Sequence, residues 1–237
     1  MIKVHKLLGI FSILIPFISA CAQEGPYAYK KDDPNGIGKW YMGREIAHVM
    51  GFQGMYWLER PEREKEEKAT KLLENMQLSE TDVIADIGAG SGYHVFKMAE
   101  KAPKGIIYAV DIQEEMLEVL KLRKREFKAS NVQIVKGSEK NVNLPKNTLD
   151  KVLIVDVYHE MGYPMEMMQS IYNAMKKEGK LYLIEYRGED PRVPIKRLHK
   201  MTADQAVKEM AAVGFVLEEN IANLPWQHCM VFVKGVN

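Results

Sequence analysis

From Thr81 onward, short apolar runs without polar alternation take turns with longer amphipathic stretches. No other feature of the chain limits its fold as much. A strand with one wet face alternates apolar and polar residues, whereas a strand covered on both faces does not. The first such run is 83–87, VIADI. A helix is expected over 93–101, then a strand over 105–110 that ends at Asp111. The helix expected over 113–127 has acids at its start and Lys121, Arg123, Lys124 and Arg125 near its end, which suits a helix dipole. Strands follow over 132–135, 151–157 and 180–186, with a helix over 165–176. A helix over 202–213 opens on Thr202, a good N-cap. Two strands, 215–219 and 229–234, close the chain. This alternation specifies an α/β doubly wound sheet. At 237 residues and 46% hydrophobic content, the chain can build one domain with a sizeable core.

The loop after the first strand reads GAGSG, with Gly88, Gly90 and Gly92 at every second position. A dinucleotide fingerprint needs G-x-G-x-x-G, and Tyr93 stands where its third glycine belongs. No Lys-Ser/Thr pair follows, so the loop is not a P-loop. Asp86, two positions before Gly88, would repel a pyrophosphate. It suits a ligand that carries an ammonium group, and S-adenosylmethionine has one, with no phosphate. The ligand's carboxylate can use the helix N-terminus after the loop. Asp111, at the end of the second strand, is placed to hold ribose hydroxyls. Ile112 and Met116 beyond it would flank an adenine.

With these residues in place, the chain from about Leu78 to Lys234 resembles a class I S-adenosylmethionine-dependent methyltransferase. VIADIGAGSG matches that family's first motif and YAVDIQ its second. GSEKNVNLP fits the region after strand three, LDKVLIVDVYHEM the fourth strand and its loop, and KKEGKLYLIEYR the fifth. The resemblance implies a Rossmann-like seven-stranded sheet with the last strand antiparallel. It implies S-adenosylmethionine held across the carboxyl ends of strands one, two and four, by Asp86, Gly88, Ala89, Gly90, Gly92, Asp111, Ile112 and Met116, with Ser138 and Glu139 near the adenine and Asp156 at the fourth strand. His94 departs from the pattern, because small or hydroxylic residues are common there. Contact with the methionyl end and capping of the next helix both stay open for it.

The acceptor site is expected past the fourth strand, at DVYHEM. Tyr158 and His159 are the best-placed side chains, with His159 a general base near neutral pH. No Pro-Pro motif of the kind found in enzymes that methylate bases stands there. Lys+Arg number 33 against Asp+Glu 32, a net charge of +1. Neither feature favours nucleic acid as a partner, and a small-molecule acceptor is expected instead. The insertion EYRGEDPRVPIKRLHKM is expected to fold over the pocket as a lid. His159, His199 and His228 with Glu185 have the chemistry of a metal set. They lack the i,i+4 histidine spacing, so no metal is assigned.

The first residues carry a different message. Lys3 and Lys6 precede an apolar stretch, 7–18, that is too short to span a membrane with ease. Then comes ISAC, which resembles a bacterial lipobox. The resemblance implies a signal peptide over 1–20, lipidation of Cys21 and a tether over 21–39. It implies an exported, membrane-anchored lipoprotein, cytoplasmic only if the signal is not used. Cys229 is then a free thiol, expected to be buried. A helical segment over 40–78 is expected to cover the pocket of a methyltransferase domain over 79–237. Within it, Arg44 is expected either to help cover the acceptor or to form an interior ion pair. The run RPEREKEEKATKLLENM reads as a solvated helix face, with Glu64–Lys68 and Glu67–Lys71 pairs on the outside and Ala69, Leu72, Leu73 and Met76 inside. Exported proteins meet little S-adenosylmethionine. A second reading therefore stands beside the enzyme: a non-catalytic lipoprotein that keeps the fold and binds an adenosyl ligand or a partner.

Overall fold

The computed structural model describes residues 25–235. The signal peptide and Cys21 lie outside the described residues. No helix among them is long and apolar enough to cross a membrane.

Seven strands form the main sheet: β4 (Val83–Ile87), β5 (Ile106–Asp111), β6 (Val132–Lys136), β7 (Leu149–Val155), β8 (Met175–Tyr186), β9 (Phe215–Asn220) and β10 (Gln227–Lys234). Their order is β6-β5-β4-β7-β8-β10-β9. β10 runs antiparallel to both its neighbours, and the central pairs are parallel. The chain steps to one side of β4 to make β5 and to the other side to make β7. This reversal opens a crevice at the carboxyl ends of the strands, where ligands bind in such sheets.

Both faces of the sheet are dry, as the unbroken apolar runs require. On one face, α3 (Ala69–Asn75), α4 (Val95–Lys101) and α5 (Glu114–Glu126) pack Leu72, Phe96, Met98 and Leu120 against Ile84 and Ile107. On the other, α6 (Pro164–Ala174) and α7 (Ala203–Ala211) pack Met168, Ile171 and Met210 against Ala85, Val152 and Leu183. Thr202 does cap α7, its side chain accepting from the Gln205 N–H at 3.2 Å. Cys229 is buried, and burial pushes its thiol up to about 11.

The segment before the sheet departs from the expectation. Instead of a tether and a helix, β1 (Tyr27–Tyr29), β2 (Gly36–Tyr41) and β3 (Arg44–Ala47) make a small antiparallel sheet. Met42 and Gly43 join β2 to β3 with φ of 48° and 96°. Positive φ at both positions is the two-residue turn that matches strand twist. Only then come α1 (Met55–Leu58) and α2 (Arg63–Glu67). The expected charged helix breaks at Lys68, whose φ is 51°. The break turns Arg63 and Glu67 inward, where both are buried. Glu67 pairs with Arg63 and Arg60 rather than Lys71, and Lys71 pairs with Glu74. Ala69, Leu72, Leu73 and Met76 form the buried face as expected.

Candidate active site

The cradle begins where β4 ends. Gly88, Gly90 and Gly92 have φ of 71°, 53° and 84°, which side chains adopt only with strain. Crowding adds to the requirement at all three. A Cβ on Gly88 would stand 2.7 Å from the Val157 methyls, and one on Gly90 2.8 Å from Leu58 Cδ1. The N–H groups of Gly88 and Ala89 both donate to the Val110 carbonyl, at 2.9 and 3.0 Å. Gly90 N–H donates to Asp111 Oδ2 and Gln113 N–H to Oδ1, each at 2.9 Å. The Asp111 carboxylate thus ties the loop to the start of α5, and burial pushes its pKa above the usual range. Asp86 is pushed further, to about 7, by burial first and by the nearby Asp111 charge, with Arg63 opposing.

β7 ends at Val155, two residues earlier than the apolar pattern suggests. Asp156 takes a φ of 52°, and the chain enters a single 3-10 turn, Tyr158–Glu160. That turn aims His159 at Glu185 on β8. His159 Nδ1 lies 2.6 Å from Glu185 Oε2, and its backbone N–H donates to Oε1 at 3.2 Å. A carboxylate only accepts, so Nδ1 carries the proton and Nε2 is the free nitrogen. Nε2 lies 3.0 Å from His199 Nδ1. Burial pulls the His159 pKa down, but the Glu185 charge and hydrogen bond outweigh it and leave it raised. Burial and the His159 charge push His199 down to about 4, and burial lifts Glu160 to about 7.

One cavity of about 750 Å³ joins the two halves. Asp86, Gly88, Gly90 and Asp111 line one end, and His159, Glu160 and His199 the other. Met50, Trp57 and Leu58 cover it from the lead segment, and Pro194 and Ile195 from the insertion after β8. The glycine cradle, the paired acids and a cavity of this volume fit an adenosyl group with a free amino end.

Residues 78–229 match the model of a family described as "Methyltransferase domain". The chain belongs to this methyltransferase family. With membership comes S-adenosylmethionine as the cofactor. The chain is 35% identical over 117 residues to a methyltransferase-like protein of Schizosaccharomyces pombe, a match that covers 49% of this chain and 43% of that one. It is 27% identical over 143 residues to a methyltransferase of Bacillus subtilis, covering 60% of this chain and 76% of that one. A methyltransferase structure from Aquifex aeolicus superposes with a TM-score of 0.74 at 20% identity, over 78% of this chain and all of the other.

Within this methyltransferase, the cavity gathers Asp86, Gly88, Ala89, Gly90, Asp111, Ile112, Met116, Ser138, Glu139 and Asp156, as expected from the sequence. Gly92 is not among the lining residues. Its N–H closes the turn onto the Ala89 carbonyl at 2.8 Å, and a Cβ there would strike Phe96 and Leu120. Tyr158 is also absent from the lining. Its ring is buried in the core, and its hydroxyl donates to Glu209 at 2.8 Å. His94 lines the cavity, makes no side-chain cap to α4, and is held neutral by burial. Arg44 forms the interior ion pair, with Glu209 at 2.9 Å. Of the four residues weighed for a metal, His159, Glu185 and His199 come together, while His228 pairs with Glu189 instead. Two lining residues, Arg63 and Glu160, carried no expectation. Arg63 was hidden in a run that reads as solvent-facing, and Glu160 beside a more conspicuous histidine.

Proposed function

We propose that this chain transfers a methyl group from S-adenosylmethionine to a small molecule that enters the His159 end of the cavity, and that Cys21 tethers it to a membrane. One observation carries the reading: one cavity is lined both by a glycine-and-acid cradle and by an ionisable histidine backed by a carboxylate. Asp86 would hold the amino group of the cofactor, Asp111 its ribose hydroxyls, and Ile112 and Met116 its adenine. The cofactor, when bound, supplies a methyl on a cationic sulfur, and the C–S bond breaks with its electron pair staying on sulfur. The protein aligns the acceptor lone pair with that methyl and keeps water out. An acceptor O–H or N–H must also lose a proton, and His159, with Glu185 behind it, is the group that promotes the loss. Tyr158 takes no part, because its hydroxyl is committed to Glu209.

Calorimetric titration of S-adenosylmethionine into the full chain tests the reading. One molecule should bind at micromolar strength. Asp111→Ala should weaken binding about 100-fold, the loss of roughly 3 kcal/mol in charge-assisted hydrogen bonds. Absence of binding to a folded chain would overturn the enzyme, and wild-type affinity in Asp111→Ala would overturn the site.

A further inference from the structure

We infer that His159, Glu160 and His199 form a binding site for a divalent transition-metal ion at the acceptor end of the cavity. His159 Nε2, His199 Nδ1 and a Glu160 carboxylate oxygen all lie within 4.8 Å of one another. The two ring nitrogens are 3.0 Å apart. Metal–nitrogen bonds of about 2.05 Å across that gap make an angle of about 94°. This is the angle between adjacent ligands of a six-coordinate ion, and the chain then supplies three ligands and leaves positions open toward the cavity.

The surroundings are those of a ligand set. Glu185 accepts a hydrogen bond from His159 Nδ1–H, which fixes the tautomer and directs the Nε2 lone pair outward. Ligating histidines are held by a carboxylate in this way. The His159 carbonyl is itself anchored by Arg44 at 2.8 Å, so the ring has little freedom. Glu160 Oε2 is oriented by the Met50 N–H at 3.0 Å. Among the described residues, no lysine or arginine pairs with Glu160, and His159 Nε2 lies 4.0 Å from its carboxylate. A buried carboxylate beside two imidazoles, with no fixed positive partner, is completed by a cation. Two nitrogens and one oxygen favour a borderline ion such as Zn²⁺, Fe²⁺ or Co²⁺ over Mg²⁺ or Ca²⁺.

This deepens the proposed methyl transfer, resting on it only in placing the acceptor beside His159. An acceptor that presents oxygen donors would coordinate the open positions. Its hydroxyl proton would leave to solvent because the bound oxygen is more acidic. His159 then holds the acid that ionises the acceptor and does not itself take the proton.

The test is titration of Co²⁺ into the full chain after stripping with a chelator, read by visible absorption and calorimetry. One equivalent should saturate at micromolar concentration with ligand-field bands. Glu185→Gln should weaken it about 10–100-fold, because an amide no longer holds the His159 ring by its Nδ1–H as a carboxylate does. His199→Ala should abolish the bands while leaving S-adenosylmethionine binding intact. Should that variant fail to fold, His199→Gln keeps the bulk and serves in its place. No saturable signal, or an unchanged signal in the His199 variant, would overturn the site. Cofactor bound without Co²⁺ sinks the metal site alone. Co²⁺ bound without cofactor sinks the methyltransferase reading and leaves the metal site standing.

Discussion

Asp86 sits at the end of β4 with its pKa at about 7 rather than 3.8. In the free chain its neutral form is favoured. The associated stability is full below the unfolded value of 3.8 and is lost as pH rises through about 7. The cofactor's ammonium group reverses the preference, because it binds the ionised form. Affinity for S-adenosylmethionine should therefore rise about tenfold between about pH 6 and about pH 8. Asp86→Asn should bind weakly with a flat profile, and titrations at several pH values check both. A wild-type profile as flat as that of the variant would remove Asp86 from the site. Asp86, Gly88, Gly90 and Asp111 were legible in the sequence because each answers to one local demand: an acid where a strand stops, or a backbone angle only glycine takes easily. Arg63 was not. Its inward turn depends on Lys68 adopting a left-handed angle, and nothing about a lysine announces that.

The lead sheet meets the main domain at more than one place, and one of these is a buried ion-pair cluster. Arg44 on β3 donates to both oxygens of Glu209 on α7 at 2.9 Å, and Glu209 also accepts from Tyr158 and Gln205. Removing one member of a buried pair strands the other without its counter-charge. Glu209→Ala should lower stability by about 3–5 kcal/mol, seen as a fall in the urea midpoint. Arg44→Met with Glu209→Leu should cost less than Glu209→Ala alone, because no charge is left behind. Unchanged stability in Glu209→Ala would mean that the other contacts, such as Tyr27 with Glu166 and Tyr163, hold the lead sheet in place. The ion pair was one of two roles the sequence allowed Arg44, but the strand that presents it was not foreseen. Hairpin turns of this kind usually carry Asn or Asp before the glycine. Here Met42 fills that place, and the aromatic and methionine-rich surroundings read as a helix.

At the level of the molecule, the doubly covered sheet was written in its unbroken apolar runs, and its seven strands with the last antiparallel followed from the family resemblance. The meeting of His159 with Glu185 and His199 was not legible. It joins residues 26 and 40 positions apart, and only the packing of a turn against β8 and a returning loop brings them together. The proposed membrane tether belongs to the whole chain and is tested as such. In cells given labelled palmitate, the wild type should take up label and sediment with membranes. Cys21→Ser should do neither, and equal labelling of the two would refute the anchor. The grip of Arg44 on the His159 carbonyl has a consequence for the order of events in a cycle. Lifting the lead sheet would pull away the support of the catalytic ring, so entry and exit on that side would dismantle the machinery each time. The insertion at 194–199 is tied to the lead segment by an exposed bridge, Arg197 to Asp33 at 2.8 Å, a contact of little strength in water. Traffic through that side leaves the Arg44 grip intact. The lead sheet would then stand as the fixed jamb of a doorway, and a swing of the insertion against it would carry His199 away from His159 while Arg44 still holds the His159 ring.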